Sequence, residues 1–196
     1  MAQRGAGDKL TAILDAAEVV FARQGYHAAQ MARIAQEAGV ATGTIYLYVK
    51  NKPDLLICLF RDRLARLVSE ARATCAEGAT PLEELRLFIA NHFRLMAQSP
   101  GMAMVTQIEM RQAETAVQQE IAAIMKTWFA VIDEIVERGQ AAGIFRPIFP
   151  KQIRNMVFGT MDQTVTAWVL SGCKFDLEAL TEPTFELLAG GCCAKV

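Results

Sequence analysis

The residues between Ala38 and Asp54 carry the groups that a polyanionic partner requires. Thr42, Thr44, Tyr46 and Tyr48 supply hydroxyls, Lys50 and Lys52 supply ammonium charges, and Gly39 and Gly43 interrupt otherwise helical sequence. Hydroxyls and ammonium groups gathered round one short helix are what phosphate contacts need, and such contacts set position without reading sequence. Tyr46 and Tyr48 are two apart and cannot both face one helical core, so at least one phenol faces solvent or a partner. Thr42 is placed to cap the helix that follows, and Gly43 leaves its entrance open, offering N–H groups and short side chains to a phosphate or base edge. On residue types alone, a solvated surface helix with half-packed tyrosines fits as well.

Charge adds a weak pointer in the same direction. The 196-residue chain has net charge −1, so no global attraction to nucleic acid or anionic membrane is expected. The first 52 residues carry six Lys/Arg against four acids, however, and the remainder carries 14 basic and 17 acidic residues. Five scattered cysteines, an odd number, predict free thiols in a reduced cytoplasmic chain. His27 and His92 lie near no cysteine, so no metal site is expected. His92 sits on an apolar stripe and reads as a hydrogen-bonded core residue in preference to a catalytic base. There is no Glu-x-x-His, nucleophile motif or phosphate-cradling glycine loop, so no catalytic residues, no cofactor and no enzyme are expected. Charges interrupt every long apolar stretch, which predicts no membrane span.

The elements that must position these groups are helices almost throughout. Leu10, Ile13, Leu14, Ala17, Val20 and Phe21 follow helical spacing until Gly25 ends the run. Short helices are predicted over about residues 31–38 and 42–49, and a long one opens between Asn51 and Asp54 with Pro53 in its first turn. Further helices are predicted from Pro81 to a break at Ser99-Pro100-Gly101, over about 102–110, over about 115–142, over about 151–170 and over about 177–189. No strand-like alternation or repeat is found. The fold class is all-α, with an N-terminal three-helix domain at 1–52 and a helical body at 53–196.

Two short helices joined by a glycine-containing turn, with a third helix behind, form a helix-turn-helix. Gly39 suits a left-handed helix exit, Ala35 permits close helix approach, and Val40 is expected to plug the core between the helices. The segments Phe21–Tyr26, Met31–Val40, Gly43–Tyr48 and Lys50–Leu56 resemble the N-terminal domain of TetR-family repressors over about residues 8–60. The resemblance implies a homodimer on palindromic operator DNA, with the third helix in the major groove and Thr44, Tyr46, Tyr48 and Lys52 near DNA. Ala29 departs from the family pattern, which has Thr or Ser there to cap the second helix and meet a phosphate. Gln30 takes its place as the candidate backbone contact. The candidate DNA-binding set is therefore Gln30, Thr42, Gly43, Thr44, Tyr46, Tyr48, Lys50 and Lys52.

The body is rich in methionine and aromatic residues, Met110 among them, which suit an adaptable apolar cavity as well as ordinary core packing. His92–Arg94, Met104–Gln112, Phe158–Leu170 and Phe175–Leu177 resemble the TetR-type FadR repressors, a group that senses long-chain fatty acyl-CoA and controls fatty-acid degradation genes. That resemblance implies an acyl-CoA effector and pairing of the last two helices with their symmetry mates. Gly159, Thr160, Gln163, Thr164 and the Leu187/Leu188 region are candidates for the seam. The candidate ligand-binding set is Phe93, Met96, Met104, Gln107, Arg111, Trp128, Phe158, Met161 and Trp168. Arg111 is the first candidate for the coenzyme A phosphates, with Arg94 and Arg86 behind it; pairing with Glu109 or Glu114 is the plainer role for Arg111. A rival effector is a lipophilic cation or aromatic drug, which aromatic rings and a carboxylate such as Asp162 favour.

Overall fold

The computed structural model describes residues 6–109, 111 and 113–193. Met110, counted above among the cavity candidates, lies outside the described residues. The helices are α1 (Ala6–Gln24), α2 (Met31–Ala38), α3 (Thr42–Ile45), α4 (Lys52–Cys75), α5 (Pro81–Gln98), α6 (Pro100–Met104), α7 (Thr115–Ala141), α8 (Pro150–Leu170) and α9 (Thr181–Cys192). A π-helical turn, Val105–Glu109, follows α6, and a 3-10 turn, Glu178–Leu180, precedes α9. One isolated antiparallel bridge, Phe145 to Cys193, is present among the described residues. No described helix is long and apolar enough to cross a membrane.

The chain divides into two compact units, one of Met1–Arg63 with Met104–Ala123, the other of Leu64–Ala103 with Ile124–Val196. The expected boundary at residue 52/53 falls in the first turn of α4, and the first compact unit also takes in the π turn and the start of α7.

In the first unit, Ile13, Leu14, Ala17, Val20 and Phe21 of α1 are buried against α2, with Ile34, Ala35, Ile45, Val49, Leu55, Leu56 and Leu59 completing the core. Gly39 has φ 68° and closes α2: its N–H donates to Gln36 O at 3.2 Å, and the Val40 N–H donates to Ala35 O at 3.0 Å. This paired closure needs a left-handed residue, which explains the glycine. Val40 itself is only half-buried, not the plug expected; Ile34, Ala35 and Ile45 fill that space. α3 is shorter than the predicted 42–49. After Ile45 the hydrogen bonds tighten to three-residue steps, Leu47 N to Thr44 O and Tyr48 N to Ile45 O, as suits a β-branched and aromatic run that resists regular α-helix. Asn51 then starts α4: its Oδ1 accepts from the Asp54 N–H at 2.9 Å, and Asp54 Oδ2 accepts from the Lys50 N–H at 2.8 Å. Arg63 ties α4 to α1 through Glu18 at 2.8 Å.

In the second unit α5 packs on α8 and α9. Thr80 caps α5, its Oγ1 accepting from the Glu83 N–H at 3.2 Å. Pro100 does not merely break the chain after Ser99; it starts α6 at once, where a missing N–H is harmless. Pro150 plays the same part for α8. Gly139 inside α7 is explained by Phe145, whose buried ring would lie 2.1 Å from a Cβ at 139. Leu85, Phe88, Ile89, Phe93, Trp128, Ile132, Ile135, Val157, Met161 and Val165 make this unit's core.

Candidate nucleic-acid interface and effector residues

The turn after α2 presents the predicted hydroxyl-bearing residues in an inside–outside pattern set by two anchors. Ile45 and Val49 point inward and are buried. Gln30, Thr42, Gly43 and Lys50 are exposed, Thr44 and Tyr48 are half-buried, and Tyr46 and Leu47 are 52% and 81% exposed. Thr42 does not cap α3: it is the first helical residue, and Ala41 holds the cap position with no side-chain hydrogen bond. Gln30 likewise sits at the α2 cap position without a side-chain bond to the helix. A Cβ built on Gly43 would meet nothing within 4 Å, and its φ is not positive. Nothing inside the fold demands glycine there, so the open surface it leaves is available to a partner.

Lys52 is engaged inside the fold. Its Nζ donates to Tyr26 O at 2.8 Å, His27 O at 2.9 Å and Ala29 O at 3.1 Å, and lies 4.8 Å from the centre of the Tyr26 ring. All three ammonium donors are thus engaged, and burial lowers the Lys52 pKa. Lys52 is a clamp between the start of α4 and the α1–α2 turn, and a phosphate contact would require it to give up a carbonyl. Tyr26, the third tyrosine, is a core residue packed edge-on against Phe21 at 5.5 Å.

The same turn is also held by Glu109, which sequence reasoning considered only as a partner for Arg111. Its Oε2 accepts from the Tyr26 N–H at 2.6 Å, and the residue is 8% exposed. A Cβ on Gly25, where φ is 79°, would lie 3.4 Å from that oxygen. No spacing rule links residues 83 apart, so the sequence carries no signal for this bond. Arg111, exposed, donates from Nη2 to Gln107 Oε1 at 3.0 Å. Gln107 is buried and Met104 half-buried. These three predicted effector residues belong to the first unit.

The remaining six belong to the second unit. Phe93, Met96, Trp128, Met161 and Trp168 are buried and Phe158 is half-buried. Trp128 lies 4.6 Å from Phe88 and 5.5 Å from His92, centre to centre, and Phe158 meets Phe129 edge-on at 5.0 Å. The Trp168 indole donates to Phe175 O at 2.9 Å, so its polar end serves the turn after α8. His92 is buried as expected, but its Nδ1 and the neighbouring Asn91 Nδ2 have no partner. Burial pushes the His92 pKa down to about 4, against the opposing pull of Asp162, so the imidazole is neutral. Arg94 meets Asn91 at 2.8 Å and Glu70 at 3.3 Å, and Arg86 is paired with Glu182. A recess of about 230 Å³ beside Arg72, Cys75, Glu84, Glu134 and Arg138 is framed by ion pairs and lined by none of the predicted effector residues.

On α8 and α9, Met156, Gly159, Gln163, Ala167 and Leu170 are exposed at helical spacing, as are Pro183, Leu187 and Gly190. Leu187 is 79% exposed whereas Leu188 is core. Thr160 and Thr164 turn back to the helix, donating to Met156 O and Thr160 O at 2.7 Å each.

Residues 13–58 match the family described as bacterial regulatory proteins, tetR family, and residues 60–191 match that described as YsiA-like protein, C-terminal region. The fatty acid metabolism regulator protein of Bacillus subtilis (strain 168) is 42% identical over 184 residues, covering 93% of this chain and 95% of that protein. The crystal structure of the transcriptional regulator FadR from Bacillus subtilis in complex with stearoyl-CoA matches with a TM-score of 0.89 and 42% identity, over 92% of this chain and 98% of that one. The fatty acid degradation regulator FadR from Bacillus halodurans matches with a TM-score of 0.92 and 40% identity, over 97% and 98% of the respective chains. A helix-turn-helix head and an all-α body, matched along nearly their full length, identify the chain as a member of the TetR family of bacterial transcription regulators, not an enzyme.

Proposed function

We propose that this protein is a cytoplasmic, homodimeric repressor that binds palindromic operator DNA and is released by long-chain fatty acyl-CoA, controlling genes of fatty-acid degradation. The observation that carries this reading is the 42% identity, over nearly the whole chain, to a fatty acid metabolism regulator whose structure holds stearoyl-CoA. The rival effector, a lipophilic cation or aromatic drug, has no comparable support.

The mechanism follows from the chemistry of the named residues. Two α3 regions about 34–36 Å apart enter successive major grooves on one face of the duplex. Gly43 admits the DNA backbone closely, Thr42, Thr44, Tyr46 and Tyr48 supply hydroxyls, and Lys50 supplies charge. Gln30 contacts the backbone in place of a cap hydroxyl. The exposed faces of α8 and α9 form the seam between protomers. The acyl chain is received by the Met and aromatic side chains named above, and Arg111 meets a coenzyme A phosphate, exchanging its Gln107 contact for a charged one. Acyl-CoA binds the form that does not fit the operator more tightly, and linkage then releases DNA. The test is titration of acyl-CoAs of increasing chain length into a complex of protein and promoter duplex from fatty-acid degradation genes. Release by long chains and not by free coenzyme A is expected; binding indifferent to the whole series would overturn the reading.

A further inference from the structure

The α1–α2 turn is gripped by two groups that lie far apart in sequence. Lys52 takes three of its carbonyls and Glu109 takes the Tyr26 amide. The second grip is the unusual one. Glu109 is the last residue of a π-helical turn, a wide winding that is rare and costs regular helix geometry. Two residues to either side of Glu109 lie Gln107 and Arg111, joined to each other at 3.0 Å. Relaxing such a turn to α-helical winding rotates whatever follows it by one residue, about 100°. A change of winding within residues 105–109 would turn the Glu109 side chain away from the Tyr26 amide. Gly25, whose φ is 79°, opens that turn, and an added Cβ there would come into van der Waals contact with Oε2 at 3.4 Å.

We propose that Glu109 is the positioning residue through which the effector acts on the DNA-binding head: its bond to the Tyr26 amide holds the α1–α2 turn in the operator-binding arrangement, and engagement of Arg111 and Gln107 by the effector withdraws it. This rests on the acyl-CoA reading above. Removing the carboxylate therefore reproduces the induced state without effector. A residue that only stabilised the fold would weaken operator binding equally with and without effector, leaving the ratio of the two affinities unchanged.

The test compares wild type, Glu109→Ala and Glu109→Gln by operator-duplex anisotropy with and without saturating stearoyl-CoA, and by direct calorimetry of stearoyl-CoA binding. Wild type is expected to lose operator affinity by roughly thirtyfold on adding stearoyl-CoA, within the usual range of coupling. Glu109→Ala is expected to bind operator as weakly as liganded wild type, to lose less than about threefold more, and still to bind stearoyl-CoA. Glu109→Gln, whose amide oxygen still accepts, is expected to restore part of the response. Amide exchange at Tyr26 in the wild-type protein gives a reading that needs no variant: stearoyl-CoA should speed it. A Glu109→Ala protein whose response matches wild type, or unchanged Tyr26 exchange in a wild type that does release DNA, overturns the latch alone. A wild type that binds operator but ignores stearoyl-CoA overturns the effector reading and the latch with it.

Discussion

Lys52 shows how a side chain proposed to lie near DNA can also be engaged inside the fold. Its ammonium, placed by the family pattern near DNA, closes the α1–α2 turn through three carbonyls. Lys52→Met leaves those carbonyls without their charged donor and should lower stability by about 1–3 kcal/mol, measured by urea denaturation. Lys50, exposed and with only its backbone N–H engaged in the α4 cap, should behave otherwise. Lys50→Ala is expected to leave stability unchanged and to reduce the salt slope of operator binding by about one. His92 has a third kind of consequence. Its pKa falls from 6.5 to about 4 on folding because it is buried. The unfolded chain therefore takes up a proton below pH 6.5 that the folded chain refuses, so this contribution is intact above that pH and lost as pH falls towards 4. The loss amounts to about 3 kcal/mol over the window, and His92→Gln should flatten that part of the stability–pH profile.

Among the elements, those built on strong periodicity were legible in the sequence, and those shaped by distant contacts were not. α1, α2, α5 and α7 follow their apolar stripes and caps closely, and Pro150 opens α8 one residue before the predicted start. α3 stops four residues short because Tyr46–Tyr48 wind more tightly than a helix, which no apolar count distinguishes. The π turn at 105–109 was equally hidden, since no apolar spacing marks such a winding, and the Glu109 side chain it carries bonds a turn 83 residues away. Of the site residues, the exposure of Tyr46, Lys50 and Gly43 agrees with the sequence reading, whereas Thr42 as a cap does not. Two glycines test this level. Gly139→Ala drives a Cβ into the buried Phe145 ring and should cost about 2–3 kcal/mol, despite alanine's better helix propensity. Gly43→Ala meets nothing within the fold, so it should hold or raise the thermal midpoint while weakening operator binding, because the added methyl meets the DNA backbone.

For the whole molecule, repression requires two heads at a spacing one protomer cannot supply. Leu187, exposed beside Pro183 and Gly190 on α9, belongs to the apolar face assigned to the partner protomer. In the proposed dimer, Leu187→Glu buries a charge at that seam and should give a monomer in sedimentation experiments, with a corresponding loss of operator affinity. The organisation into a helix-turn-helix head and an all-α body was available from glycine placement and helical spacing. The effector class came only from the resemblance of the body segments and not from their side-chain inventory, because Met and Phe stripes line cores and cavities alike. The central claim is that operator and acyl-CoA compete through one protein equilibrium, and linkage makes that coupling reciprocal. Its most direct test is calorimetry of stearoyl-CoA binding to the dimer with and without a saturating operator duplex. The account predicts that operator weakens stearoyl-CoA binding by the same factor by which stearoyl-CoA weakens operator binding; equal stearoyl-CoA affinity in the two titrations would contradict it.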